Sequence, residues 1–277
     1  MSAATSIEAL LPQMITIPPG AFRMGTPDAD RSGLAARYGG TRESYAEESS
    51  QHEVLVAAFA IAQVPVTNAL YALFQAATDA HRPITWGDAL PDNLRDHPLV
   101  DVSWYEAQAF CGWLGEQTGR RYRLPTEAEW EKAARGVDGR AFPWGDDFDL
   151  QRCNVRESGL GITTPVGQYA AGASPYGVLE MSGAVWEWTQ SLQAPYPYRA
   201  DDGRNGSEPR IERRTPRFLQ RLLRTAPEHA PPAIETRRII RGGCFANPEG
   251  FARCACRLRL QPERRTPFLG IRLALDV

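Results

Sequence analysis

The chain has 277 residues, 43% of them hydrophobic, with 31 Lys and Arg against 33 Asp and Glu for a formal net charge of −2. That balance excludes a disordered polyelectrolyte, and it supplies no bulk attraction to nucleic acid or to an anionic membrane. No run of 18 apolar residues occurs and the first residues lack a basic-then-apolar leader, so a cytoplasmic, monomeric protein with neither nucleic-acid nor membrane partners is expected. Five cysteines, an odd number in a long chain, do not make a disulfide framework, and their thiols are expected to stay reduced.

In chain order, the first element alternates as a strand from Met14, breaks at Pro18-Pro19-Gly20, and resumes to Gly25. Residues 26–51 are polar and Gly-rich and read as a long loop. Glu53 to Ile61 alternates again, and Thr67 caps a short helix with Leu70, Phe74 and Ala77 on one side. The clearest helix is Ser103 to Thr118. Ser103 with Glu106 makes a capping box, Ala107, Phe110, Cys111 and Leu114 fall on one stripe, and Gly119 closes it. Cys111 therefore belongs to a core. Thr126 with Glu129 begins a second capped helix that ends before Gly136.

Beyond Phe142 helices are scarce. Residues 192–238 are rich in Arg and Pro and read as an insertion, with one amphipathic helix candidate at Thr215 to Arg224 and a plain surface loop as the alternative. Ile239 to Val277 returns to short strands and turns. With 24 Gly, 22 Pro and 7 Trp in short punctuated segments, the fold class is a loop-rich α+β domain. No glycine-rich phosphate loop occurs, and His52, His81, His97 and His229 are too far apart in sequence for a helical metal motif.

Seven stretches, in order, resemble the formylglycine-generating enzyme or sulfatase-modifying-factor family: "MITIPPGAFRMG", "PVTNALYALF", "HPLVDVSWYEAQAFCGWL", "YRLPTEAEWEKAARG", "FPWGDDF", "TTPVGQYAAGASPYGVLEMSGAVWEWT" and "RIIRGGCF…FLGIRLA". The resemblance implies one domain over residues 1–277, an elaborated C-type lectin-like fold with little regular secondary structure. It also implies where an oxidase of the family would carry the two cysteines that hold Cu(I), a pairing that soft thiolates favour. Those positions are Asn247 and Ala252, so neither copper nor oxidase activity is expected, and fold alone does not supply function. By the same resemblance Glu180, Gly183, Val185 and Glu187 match a calcium loop, with Ala184 where Asn is usual, and Asn154-Val155 matches the start of a second calcium site. Hard oxygen donors suit Ca²⁺. The alternative for Glu187 is a buried carboxylate paired with an arginine.

The final segment separates into fixed points and intervening residues. Arg241-Gly242-Gly243, Pro248, Arg253, Ala255, Arg257, Arg259, Pro262, Arg265 and Leu269-Gly270-Ile271-Arg272 match the family framework. Cys244, Phe245, Ala246, Asn247, Phe251, Cys254, Cys256, Leu258, Leu260, Arg264, Thr266, Pro267 and Phe268 are the candidate ligand-binding residues, within a variable segment at about 244–268. Cys254 and Cys256 would share a face if on a strand, which opens a metal site as the alternative to ordinary small side chains. The pattern resembles the variable proteins of diversity-generating retroelements. In those, adenines are copied inaccurately, and Asn codons become Phe, Leu, Thr, Pro, Cys, Arg or Ala. The function expected is a non-catalytic binding module for a protein or other macromolecular ligand, with a copper-dependent family oxidase or an inactive relative as the alternative.

Overall fold

A computed structural model describes residues 6–206 and 236–277. The helix candidate at Thr215 to Arg224 lies outside the described residues.

The elements in chain order are α1 (Ile7–Leu10), β1 (Met14–Ile17), β2 (Gly20–Met24), α2 (Arg31–Tyr38), β3 (His52–Val56), β4 (Phe59–Ala62), α3 (Asn68–Ala77), α4 (Trp104–Thr118), β5 (Tyr122–Arg123), α5 (Glu127–Arg135), β6 (Trp186–Leu192), β7 (Arg238–Arg241), β8 (Arg257–Leu260), β9 (Leu269–Ile271) and β10 (Ala274–Asp276). Three sheets form, in the orders β1-β4-β10-β5, β2-β3 and β8-β7-β6-β9. The stretch read as one strand from Glu53 to Ile61 is thus two, β3 and β4, in different sheets. The break falls at Ala57-Ala58, where the chain leaves one ladder for another.

The two capped helices form where their local signals place them. In α4 the Glu106 N–H donates to Ser103 Oγ at 3.3 Å while the Ser103 N–H donates to Glu106 Oε2 at 2.8 Å. In α5 Thr126 and Glu129 make the same reciprocal pair. Each such cap is worth about 1 kcal/mol, because it satisfies donors that the first helical turn leaves orphaned. Ala107, Phe110, Cys111 and Leu114 of α4 are all buried, and they pack in the main core with Trp104, Trp186, Trp188 and Ile240. Burying three indoles is tolerable because each N–H finds an acceptor. Trp104 Nε1 donates to the Thr189 carbonyl and Trp188 Nε1 to the Val102 carbonyl, both at 2.9 Å. Trp186 Nε1 donates to a side chain described below.

The loop expected at 26–51 is more ordered than its composition suggests. It contains α2 and a 3-10 stretch at Arg42–Glu48. α2 buries none of its residues, which is why no apolar period announces it.

The four-stranded sheet β8-β7-β6-β9 positions the C-terminal segment. β8 and β9 are its opposite edges, so residues 261–268 cross the end of the sheet from one edge to the other. That crossing docks on the start of α4, where the Trp104 N–H donates to the Pro262 carbonyl and the Asp101 N–H to the Thr266 carbonyl, both at 2.9 Å.

Candidate ligand cleft

A cleft of about 320 Å³ opens between residues 38–48 and residues 250–258. One wall is Tyr38, Gly39, Gly40, Ser44 and Tyr45; the other is Gly250, Phe251, Cys256 and Leu258. The walls approach closely at Gly250, where a Cβ would stand 2.8 Å from Tyr38 Cβ, so this position admits only glycine without a shift of the wall. Gly39 and Gly40 turn the chain out of α2 with φ of +82° and +80°.

The floor is a buried ion pair. Arg253 donates through Nη1 to Glu48 Oε1 at 2.7 Å, through Nη2 to Glu48 Oε2 at 3.2 Å, and through Nε to the Gly250 carbonyl at 2.9 Å. The guanidinium lies 5.1 Å from the Tyr45 ring centroid and 5.6 Å from that of Tyr38, an added cation–π attraction. Tyr45 donates to the Gly39 carbonyl at 2.9 Å. Burial pushes both phenols up, so they stay protonated near neutral pH. Every charged group at the floor is therefore matched within the protein.

The thirteen candidate binding residues do not form one continuous face. Phe251, Cys256 and Leu258 line the cleft. Arg264 and Pro267 are exposed and Thr266 half-buried on the crossing between the sheet edges. Phe245, Ala246 and Asn247 form a third group held by residues 156 and 184, since the Arg156 N–H donates to the Asn247 carbonyl and the Phe245 N–H to that of Ala184. Leu260 and Phe268 are half-buried against the main core.

The cysteines require a correction. Cys244, Cys254 and Cys256 are 1%, 0% and 7% exposed, so the first two are no part of a surface, and Cys256 only backs the cleft wall. Cys254 and Cys256 sit in the turn before β8 rather than on a strand, and they enter different cores. Cys254 packs with Phe22, Phe59 and Trp130, and Cys256 with the main core. Burial pushes both thiols up to about 12, which disfavours the thiolate that a nucleophile or soft-metal ligand needs.

The two positions that would carry the oxidase's thiolates are now defined. Asn247 Oδ1 accepts from Trp186 Nε1 at 2.7 Å and from the Cys244 thiol at 3.0 Å, so its amide anchors the core indole. Ala252 is 1% exposed, packed with Phe142, Cys153 and Val155.

The calcium expectation meets a donor set already engaged. Arg272 donates to Glu187 Oε1 through Nη2 at 2.7 Å and to Oε2 through Nε at 2.9 Å, and Trp130 Nε1 adds 2.6 Å to Oε2. Glu187 is fully buried, so its charge is balanced by Arg272, the alternative read from the sequence. Asn154 donates through Nδ2 to the Ile162 carbonyl and accepts at Oδ1 from Ser158, while Val155 is a core side chain. Glu187 and the Asn154 side chain are thus already engaged within the protein, which leaves neither Glu187 oxygen free for Ca²⁺. Glu180 stands apart: its Oε1 accepts from the Gly167 N–H at 2.6 Å, its Oε2 has no partner, and burial pushes its carboxyl up to about 7. Ala184 holds φ of +59°, a left-handed conformation that Asn tolerates better than Ala, which accounts for the usual Asn at this position and leaves the alanine strained. Among the described residues no group of three or more His, Cys, Asp or Glu is placed to hold a metal ion.

What sequence reasoning missed is the opposite wall. Tyr38, Tyr45 and Glu48 lie in the stretch read as loop, and their only signal was two aromatics in a polar segment.

The chain belongs to the sulfatase-modifying factor enzyme 1-like domain family, whose profile matches residues 2–277. Its fold is of the formylglycine-generating-enzyme type, C-type lectin-like, with mixed helix and sheet. Among solved structures it is similar to PvdO from Pseudomonas aeruginosa, with a TM-score of 0.69 and 25% identity over 96% of this chain and 95% of that one. It is also similar to Treponema denticola variable protein 1, with a TM-score of 0.69 and 20% identity over 95% of each chain. Among curated proteins it is 33% identical to the hercynine oxygenase of Mycolicibacterium smegmatis over 83% of this chain and 56% of that protein. It is 29% identical to the formylglycine-generating enzyme of Thermomonospora curvata over 95% of this chain and 93% of that protein. The chain spans about half the length of the hercynine oxygenases it matches. No helix among the described residues is long and apolar enough to cross a membrane.

Proposed function

We propose that this protein is a non-catalytic binding protein that takes a macromolecular ligand at the cleft between residues 38–48 and 250–258. In this reading its C-terminal segment is the changeable part, as in the variable protein of a diversity-generating retroelement. The observation that carries the proposal is the state of the thiolate positions. Asn247 is engaged with Trp186, Ala252 is buried among apolar groups, and the cysteines nearby are neutral, buried thiols. A family oxidase has no pair of soft ligands there to hold Cu(I).

The same segment supplies Phe251 and Leu258 to the cleft and mounts Arg264, Thr266 and Pro267 on the crossing beside it. Aromatic and aliphatic groups around a desolvated, internally paired floor have the character of recognition pockets. The decisive test is the neighbourhood of the gene. A nearby near-copy of its 3′ end, differing almost only at adenines and beside a reverse transcriptase gene, would establish diversification. A tail unrelated to any such copy would remove it. Incubation with Cu(I), oxygen, a reductant and a cysteine-containing sulfatase-type peptide should give no formylglycine, and product formation would overturn the non-catalytic reading.

A second reading, an enzymatic module of the kind present in hercynine oxygenases, is favoured by identities of 33% and 34% to two of them. Hercynine-dependent oxygen uptake by the purified chain would establish it.

A further inference from the structure

We propose that the cleft receives an extended segment of a partner protein, which adds to the outer edge of β8 as a strand and places one apolar side chain between Tyr45, Phe251 and Leu258. The inference rests on the cleft being the binding site, as argued above.

β8 ends the sheet order β8-β7-β6-β9, and its four residues pair on one side only, with β7. No other backbone bond to residues 257–260 forms among the described residues, so one row of N–H and C=O groups is left without a strand partner. Such an edge is a template for an added strand, and proteins usually guard it with charge, proline or a covering element. Here neither proline nor free charge guards it. β8 contains no proline, and both of its arginines are drawn off by acids. Arg257 donates to Glu127 at 3.0 Å and to the Glu47 carbonyl at 3.1 Å, and Arg259 pairs with the Glu47 carboxylate. Leu258 is left as the side chain facing the cleft, 36% exposed.

The shape of the space selects a chain over a compact ligand. A second hollow of about 410 Å³ continues from the cleft, sharing Glu47 and Arg257 with it and running on past Gln193, Ala194 and Pro195. Together the two make an elongated space that begins at Arg257 and Leu258 of β8 rather than a single pit. The charge state selects the side chain. Glu47, Glu48, Arg253 and Arg257 are already paired, so an incoming charge would lose its water without gaining a counter-ion, whereas an apolar group meets Tyr45, Phe251 and Leu258.

The test uses the full chain and a library of displayed random dodecapeptides. One enriched peptide is synthesised with N-methyl groups placed singly along its length and titrated calorimetrically. Strand addition predicts that N-methylation at every second residue weakens binding by about tenfold, the loss of one backbone hydrogen bond, while the intervening positions tolerate it. Enrichment of no peptide, or uniform tolerance of N-methylation, would overturn strand addition and leave the cleft reading intact. Leu258→Arg changes an exposed side chain and spares the fold, and it should abolish binding. Binding that survives it would place the site elsewhere and remove the cleft reading as well.

Discussion

Within the C-terminal segment, four of the six framework arginines and the exposed residues between them occupy contrasting environments. Arg241, Arg253, Arg257 and Arg272 are each 5% exposed or less, and each meets a buried carboxylate: Glu131, Glu48, Glu127 and Glu187 respectively. Two of those acids, Glu127 and Glu131, stand one turn apart on α5, which therefore serves as a spine on which the segment is fastened. Leu258, Arg264 and Pro267, by contrast, reach solvent. The segment is fastened by buried charge pairs, and exposed side chains stand between them. In a scaffold built this way exposed side chains can be substituted without loosening the backbone, because the fastening sits in the buried ion pairs.

The largest effect should come from breaking one fastening. Arg272→Ala leaves Glu187 buried and unpaired, and should cost about 3–5 kcal/mol in urea unfolding. A loss below about 1 kcal/mol would mean that the pair does not fasten the segment. Cys254→Ser tests whether an intervening residue turned inward is as intolerant as the arginines. The change puts a more polar hydroxyl among Phe22, Phe59 and Trp130, and should cost about 1–3 kcal/mol. Leu258→Ser should stay within about 0.5 kcal/mol, since its side chain is partly solvated, and a larger loss would erase the distinction between the two classes.

A pH series sharpens the same contrast. Cys111, Cys254 and Cys256 are pushed by burial from the ordinary thiol value of 9.0 up to about 12. The folded chain then keeps protons that the unfolded chain loses. Stability from these groups is fully present below about pH 9 and is lost as pH rises toward 12. Urea midpoints at pH 7, 9 and 10.5 should fall in that order, and a flat profile would contradict the burial. One substitution should instead give a gain. Ala184→Gly relieves a left-handed alanine at φ +59° and should stabilise by about 1 kcal/mol, measured as a higher melting temperature.

The sequence made the capped helices legible because their signals are local: Ser103 with Glu106 and Thr126 with Glu129 lie three residues apart and meet within one turn. The family framework was legible for the same reason, as short motifs in order. α2 escaped notice because it buries nothing, and the single strand from Glu53 to Ile61 divided because alternation records which face is buried, not which sheet is joined. The cysteines were misplaced by a two-residue period applied to a turn. An arginine partner for Glu187 was foreseen, but Arg272, 85 residues away, was not nameable from spacing. The cleft was half visible: Phe251 and Leu258 were marked, whereas Tyr38, Tyr45 and Glu48 meet them only through tertiary packing.

The placement of β10 has a consequence for the order in which the molecule is made. Its residues, 274–276, lie in the interior of their sheet, with β4 on one side and β5 on the other, although those two strands are translated more than a hundred residues earlier. During synthesis β4 and β5 therefore wait with open edges until the last strand arrives, a long-range closure that is slow and exposes strand edges meanwhile. Ribosome-bound chains arrested before residue 274 should be cut readily by protease between β4 and β5, and chains extended past 277 by a linker long enough to clear the exit tunnel should resist.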